Sequence, residues 1–432
     1  MSKAVVYFFL LSIPFAGGAQ NIIRLPEALN IAFKNSLDIQ LAKNNVQANT
    51  ILNNIGIAGG LPAITTSIND NEQLYNINQK LNTGENISRN AAGVNNLNSN
   101  ISISMLLYNG NRVVATKNRL AQLQKQSEEL LNSQVQDIIA SVTTTYYSIV
   151  RHQSFLKTIQ RSIAASQQQL EIVQSRQKAG MANNADLFQS QINLNELLQT
   201  KLLQDLVIQQ AKTDLLRLLT LKPDSVITIE DTILVDKTIT LESILNSLHQ
   251  NPDIIASQDQ IKINEQIVKE TTAQMYPTIR ATTGYNFNRN QAAAGNLLLN
   301  QSYGPSIGVS IGIPIYNGTI YKRQQKVAEI NVQNAELNNK ILIRDYNAQV
   351  VKSYQTYATT LIQLETEEQN FKLSEQLLNL ILKRFQLKET TIVDVMNAQD
   401  SFEQSGFRLV NLNYAAKAAE IELKRLANQL TL

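Results

Sequence analysis

The chain has 432 residues, with 38 Lys and Arg against 35 Asp and Glu, and its formal charge of +3 is too small to argue for nucleic acid or an acidic substrate. Cysteine is absent, which excludes disulfides, thiolate chemistry, cysteine metal sites and a lipid-modified N-terminal cysteine. Tryptophan is absent and only 6% of residues are aromatic, a balance suited to long helices with a narrow apolar stripe.

Residues 1–19 read as a secretory signal, with Lys3 as the positive start, an apolar run from Ala4 to Phe15, and "AGGA" before Gln20 as the cleavage region. A short membrane anchor is the alternative, but spanning takes about 18 apolar residues or more. No later segment has that length, so any entry into a membrane must be made by strands.

Leu25 to about Gly60 reads as a helix, with Pro26 in its first turn. A strand is predicted near 61–71, where Ile64, Thr66 and Ile68 alternate with smaller polar residues. A polar loop over 71–98 then leads to a strand near 98–109, in which Ile101, Ile103, Met105 and Leu107 share one face. After Tyr108-Asn109-Gly110 the period changes from two to heptads. Val135, Ile138, Val142, Thr145, Ile149, His152 and onward to Val173 step by three and four along a helix of about 100 Å, Asn111 to Lys178. "KAGMANNADL" breaks it, and a second apolar stripe returns. Lys222 to Thr240 is a linker whose "SVITI" suits a short strand.

The same series then recurs. A helix is predicted from Leu241 to Met275, a strand near 276–288, a polar loop over 289–303, and a strand near 304–317. A second heptad helix follows, with Val350, Tyr354, Tyr357, Leu361, Leu364, Glu368, Phe371, Glu375, Leu378, Leu382 and Phe385 on its seam. It breaks at "LKETTIVDVM" and returns through Leu409, Leu412, Ala416 and Leu423. Tyr316 follows Tyr108 by 208 residues, so residues 20–222 and 223–432 are two copies of one unit. The fold class is mainly α with a small β part. Four strands cannot close a barrel, since single-chain barrels start at about 8. The edges must be met by further copies, or the Ile-rich face must pack on a helix in a soluble protein.

The tandem repeat, Leu61-Pro62 and Tyr276-Pro277, both Tyr-Asn-Gly turns, and the helix-tip motifs "RQKAGMANNADLFQSQ" and "RFQLKETTIVDVMNAQ" resemble the TolC-like outer-membrane efflux family over about Leu25 to Gln429. The resemblance implies a homotrimer with a shared 12-stranded barrel in outer-membrane lipid and a helical α-barrel in the periplasm. It further implies a periplasmic adaptor, an inner-membrane transporter, and export of small molecules or unfolded proteins. A periplasmic coiled-coil adaptor or structural interaction protein is the rival reading. An adaptor, however, usually carries one hairpin between β-rich halves.

By the same resemblance, the mouth of the duct lies at the hairpin tips. Asp394 matches an acidic ring position, and Asn397 stands where relatives can carry a second acid; Asp186 and Gln189 are their counterparts in the first copy. Phe385 and Thr390 replace the tyrosine and arginine of the family's closing bonds. Gly180, Met181, Lys388 and Glu389 fall where an adaptor would dock. Read as local structure instead, Asn183 to Asp186 and Thr391 to Asp394 fit helix starts, and Gly180 fits a left-handed turn. His152, His249, Tyr146 and Tyr354 read as packing residues. No cofactor, metal or catalytic residue is indicated, since the glycine turns lack the Lys-Ser/Thr of a phosphate loop.

Overall fold

The computed structural model describes residues 21–431, so the signal segment over residues 1–19 lies outside the described residues. In chain order the elements are β1 (Asn21–Ile22), α1 (Leu25–Asn35), α2 (Leu37–Leu52), β2 (Ala63–Lys80), β3 (Asn86–Tyr108), α3 (Arg112–Lys178), α4 (Asn184–Leu218), β4 (Ile227–Thr228), α5 (Leu241–Ser247), a 3-10 turn (Leu248–Gln250), α6 (Pro252–Ala273), β5 (Thr278–Ala292), β6 (Leu299–Gly312), α7 (Ile320–Gln386) and α8 (Ile392–Leu426). The helices α3 and α7 have 67 residues each, and α4 and α8 have 35 each. All four pairs of helix ends are offset by 208. The return helices are thus about half as long as the outgoing ones. Two compact units cut across this repeat: Gln40–Gln134 with His249–Tyr346, and Val135–Leu248 with Asn347–Leu432 and the described part of Met1–Ile39.

The first of these units contains a four-stranded antiparallel sheet in the order β2-β3-β5-β6. Its register sorts the side chains cleanly. Ile64 opposes Ile103, Ile101 opposes Tyr285, Met105 opposes Ala281, and Ile279 opposes Ile311, so these share one face with Ile307 and Val309. All but Ala281 and Ile279 of these are exposed, with Ile307 at 89%. Tyr303 to Ile311 spans about 27 Å of strand, which at the usual tilt covers most of a ~25 Å lipid-facing band. Tyr285 and Tyr303 mark one end of the band, and Tyr276 and Tyr316 flank the other, as aromatic girdles do. Charge returns on this face only beyond the band, where Asn95 donates to Asp70 and Glu72 and Arg289 donates to Asn95.

The opposite face carries Thr65, Ser102, Gly284 and Ser306 in one row, and Asn71, Asn96, Asn290 and Asn300 in another. This asparagine pairing corrects the polar loops predicted over 71–98 and 289–303, most of which are strand. Asparagine disfavours strands, but here the side chains bond across the ladder, as from Asn290 to Asn96 at 2.7 Å and from Asn286 to Ser306 at 3.0 Å. Only a short turn remains in the first hairpin, closed by Leu81 N–H to Glu85 O at 2.8 Å. In the other direction, the strand predicted to 317 stops at Gly312, because its partner β5 begins at Thr278 and offers Ile313 and Ile315 nothing to pair with. Below the sheet, α6 is hydrogen-bonded to α3 through Gln126 to Ala256 and to α7 through Asn264 to Asn331.

In the other unit the heptad seams are buried: Val142, Ile149, Ile159, Val350 and Leu364 are at most 4% exposed. The seam slips by one residue at Glu367, which is buried while the predicted Glu368 is exposed. Ser405 Oγ donates to Glu367 at 2.6 Å and Arg408 pairs with it at 3.1 Å, which makes the burial of its charge tolerable. A tyrosine on each long helix pins an incoming segment. Tyr146 donates to Ile23 O at 3.3 Å and Tyr357 donates to Asp236 O. Tyr354 packs against Tyr357, with ring centroids 6.1 Å apart. The linker contributes β4, which pairs in parallel with β1.

Three local expectations change. The first helix breaks at Ser36, whose Oγ accepts from Ile39 N–H at 3.3 Å, and α2 ends at Leu52. Its counterpart breaks before Pro252, where Asn251 caps α6 by accepting from Asp253 N–H at 2.9 Å. His249 stands exposed on the 3-10 turn and does not pack. His152 is part-buried between Arg151 and Gln204, and burial, followed by the Arg151 charge, pushes its pKa down.

A Cβ on Gly284 would run into the Ile101 carbonyl oxygen of β3, whereas one on Gly304 meets nothing within 4 Å. Gly284→Val is expected to cost about 1–3 kcal/mol through overpacking, read as a lower denaturant midpoint, while Gly304→Val stays near the parent. Equal effects would remove the close-approach argument.

Asp236 accepts from the Thr238 hydroxyl at 2.6 Å and its N–H at 3.0 Å, and from Lys424 at 3.1 Å; in that order these hold its carboxyl down to about 2. A depressed carboxyl stabilises the fold above its unfolded pKa of about 3.9 and loses that contribution as pH falls through the folded value. Asp236→Asn should lower the melting temperature at neutral pH, with the gap from the parent closing between about pH 4 and 2. A gap that stays constant over that window would show the charge to be irrelevant.

Candidate functional site at the hairpin tips

Both outgoing helices end in the same closure. In the first copy Gly180 N–H donates to Gln177 O at 2.9 Å and Met181 N–H to Arg176 O at 2.7 Å. In the second, Lys388 N–H donates to Phe385 O at 3.1 Å and Glu389 N–H to Arg384 O at 2.9 Å. This is the two-bond helix stop that needs a left-handed residue. Gly180 supplies it at φ +71° without strain. Lys388 adopts φ +67°, a conformation that costs a non-glycine residue about 1–2 kcal/mol. The backbone is therefore alike at the two tips, and the side chains are not.

The return helices start with different caps. Asn183 Oδ1 accepts from Asp186 N–H at 2.8 Å. In the second copy the bonding is reciprocal: Thr391 Oγ1 accepts from Asp394 N–H at 3.3 Å, and Asp394 Oδ2 accepts from Thr391 N–H and hydroxyl at 2.8 Å each. The Thr391 backbone bond, then the hydroxyl bond, holds the Asp394 carboxyl below the usual range. Asp394 is thus ionised and engaged in starting its own helix. It remains exposed, as does Asn397 one turn on along the same face. Gln189 is also exposed, and Asp186 is half-buried.

Phe385 belongs to the core and not to an open mouth. It is 3% exposed and packs with Val173, Leu378, Leu382, Val395 and Phe402. The Arg176 guanidinium lies 4.5 Å above its ring centroid and donates to its carbonyl oxygen. One cation thereby satisfies the exposed end of α7 and ties it to α3. Thr390 reaches only back to Ile381 O, at 3.5 Å. Of the outer tip residues, Lys388 Nζ lies 3.0 Å from Met181 Sδ, and Glu389 pairs with Arg384 at 3.3 Å. The structure thus brings together Met181 with Lys388 and Arg176 with Phe385.

Sequence reasoning missed Arg176, although a basic residue in the last turn of a helix is the usual signal for such a tie. Of a buried polar seam above the tip it placed only Ser166. Ser162, Ser166 and Gln169 of α3, Ser190 of α4 and Gln399 of α8 are each at most 2% exposed. Asn193 donates to Gln399 at 3.1 Å, and Gln399 to Ser162 O at 3.3 Å. Serine and glutamine at heptad positions were hidden among apolar neighbours. Among the described residues no group of three or more acids and histidines is placed to hold a metal.

This combination of a half-lipophilic sheet and paired helical tips has close parallels. The profile of the outer membrane efflux protein family matches residues 28–220 and 244–429. The chain is similar to the outer membrane protein TolC of Vibrio cholerae, at 22% identity over 71% of each chain. It is also similar to the toxin and drug export protein A of Aggregatibacter actinomycetemcomitans, at 23% identity over 88% of this chain and 81% of the relative. In fold it matches the CmeC outer membrane channel of Campylobacter jejuni with a TM-score of 0.77 at 16% identity, over 94% of this chain and 85% of that one. With the family match covering both copies of the repeat, the chain belongs to the outer membrane efflux protein family.

Proposed function

We propose that this outer-membrane efflux channel is a passive exit duct completed by three chains, the strands forming a 12-stranded barrel in outer-membrane lipid and the helices standing in the periplasm. One observation carries the reading. The sheet has an apolar face and a nearly uncharged polar face, and among the described residues both of its edges, β2 and β6, lack a partner strand. In lipid each unpaired backbone group costs several kcal/mol, so open edges cannot persist there. The rival reading as a periplasmic adaptor leaves the exposed Ile-rich face without a purpose. The two copies, 20–222 and 223–432, then contribute equivalent staves to one cylinder.

Cargo would enter at the tips, with an inner-membrane transporter supplying energy through a periplasmic adaptor. Gly180, Met181, Lys388 and Glu389 form the docking surface in this reading. Asp394 and Asn397, with Asp186 and Gln189, ring the entrance, and Phe385 and Thr390 stabilise the tip from behind. The polar seam of Ser162, Ser166, Gln169, Ser190 and Gln399 supports a tip that can move, because small polar surfaces slide at less cost than interlocked apolar ones.

Light scattering of the mature protein in detergent should give three chains per particle, migrating as a heat-modifiable oligomer. A monodisperse monomer in detergent would remove the duct. The entrance ring has its own test. Asp394→Asn keeps an oxygen acceptor for Thr391 but removes the charge, so block of KCl conductance by a trivalent cation should weaken with little change in melting temperature. Undiminished block would leave Asp394 as a helix starter only.

A further inference from the structure

From Tyr75 and Ala92 to the foot of the sheet, the polar face is built of Asn, Ser, Thr, Gly and a few apolar residues, and Arg280 is the one charged side chain on it. Arg280 sits opposite Leu106 and Ser310, near the helical end of the sheet, with only the Ile279–Ile311 and Thr278–Gly312 pairs beyond it. It borders a cavity of about 540 Å³ that is also lined by Arg112, Arg119, Glu270, Thr116 and Gln274. Arg112 and Arg119 are seven residues apart on α3 and so lie on one helix face. Glu270 of α6 pairs with Arg119 at 2.7 Å, with both side chains at most 26% exposed. The charges of that pair cancel. Arg112 and Arg280 are exposed, and among the described residues neither guanidinium has a carboxylate partner. The cavity therefore holds an excess of two positive charges beside hydroxyl and amide groups.

We propose that this cavity is an oxyanion-binding site, in which Arg112 and Arg280 hold the phosphate, sulfate or carboxylate group of a solute. The inference rests on reading the polar sheet face as the wall of the duct. Planar guanidinium groups grip such oxygens with two parallel bonds, while Thr116 and Gln274 can satisfy the remaining lone pairs. Glu270 is the one carboxylate lining the cavity and Arg119 engages it, so Arg112 and Arg280 leave the cavity with a net positive field. The site thus favours anionic or zwitterionic cargo over purely cationic cargo.

The test is calorimetric titration of inorganic pyrophosphate into the full mature protein in phosphate-free maltoside micelles, where no lipid headgroup can supply the anion. Saturable binding is expected. Arg112→Gln and Arg280→Gln should each weaken it about tenfold, as loss of a charge-assisted bond does. Arg280→Lys should retain part of the affinity, and Lys80→Gln, at the far end of β2, should leave it unchanged. Absence of binding, or equal affinity in the Arg112→Gln/Arg280→Gln double variant, overturns the site. KCl conductance in planar bilayers separates this from the duct itself. Conductance without pyrophosphate binding removes only the site, whereas binding without conductance removes the duct.

Discussion

Backbone hydrogen bonding at the sheet edges is the constraint on which the rest of this molecule depends. A strand in water can leave one side of its ladder to solvent; a strand in hydrocarbon cannot. Here β2 offers 18 residues of edge and β6 offers 14, and the face between them is lined with exposed Ile, Val, Met and Tyr. Such a surface is intolerable on a soluble monomer and incomplete in a membrane. Closure by further copies resolves both conditions at once. In the proposed duct the polar face is the interior, and its near-neutrality, broken by Arg280 toward the helical end, is a property of the passage.

The helical part meets a different constraint. A 67-residue helix is not held by propensity but by the stripe it buries. The stripe is apolar along much of α3 and α7, yet it is interrupted where polar groups carry specific ties. Glu367 is accepted into the seam because Ser405 and Arg408 meet its oxygens. Glu420 is 3% exposed because Lys417 and Lys424 each reach it at 2.9 Å and it accepts from Asp236 N–H. These ties fix the linker and the return helices at defined heights along the long helices. Nearer the tip the interruptions are serines and glutamines with weaker bonding, and the cohesion there is correspondingly lower.

The duplicated tips show how a repeat diverges without losing its backbone. Both end in the same two-bond closure, one on glycine and one on a strained lysine. Both return helices begin at the same offset, but only Thr391 and Asp394 form a reciprocal cap. Arg176 ties the two ends together, whereas its counterpart Arg384 pairs with Glu389 on its own tip. Chemical asymmetry is therefore laid over geometric symmetry, and any partner reading the tips meets two different surfaces.

The sequence by itself determined the period-two faces, the heptad seams, the 208-residue repeat and the family, because each is a pattern of side-chain spacing along a single element. Ile101, Ile103 and Met105 announce their common face without knowledge of any neighbour. It could not reveal how far the strands run, since the asparagines of 71–98 and 289–303 become strand only when they bond across the ladder. Nor could it move the seam from Glu368 to Glu367, or gather Arg112 and Arg280 about one cavity. Those outcomes depend on which side chains from distant segments arrive at the same point. Only tertiary packing decides that, because hydrogen-bond partners and burial are properties of pairs and not of positions.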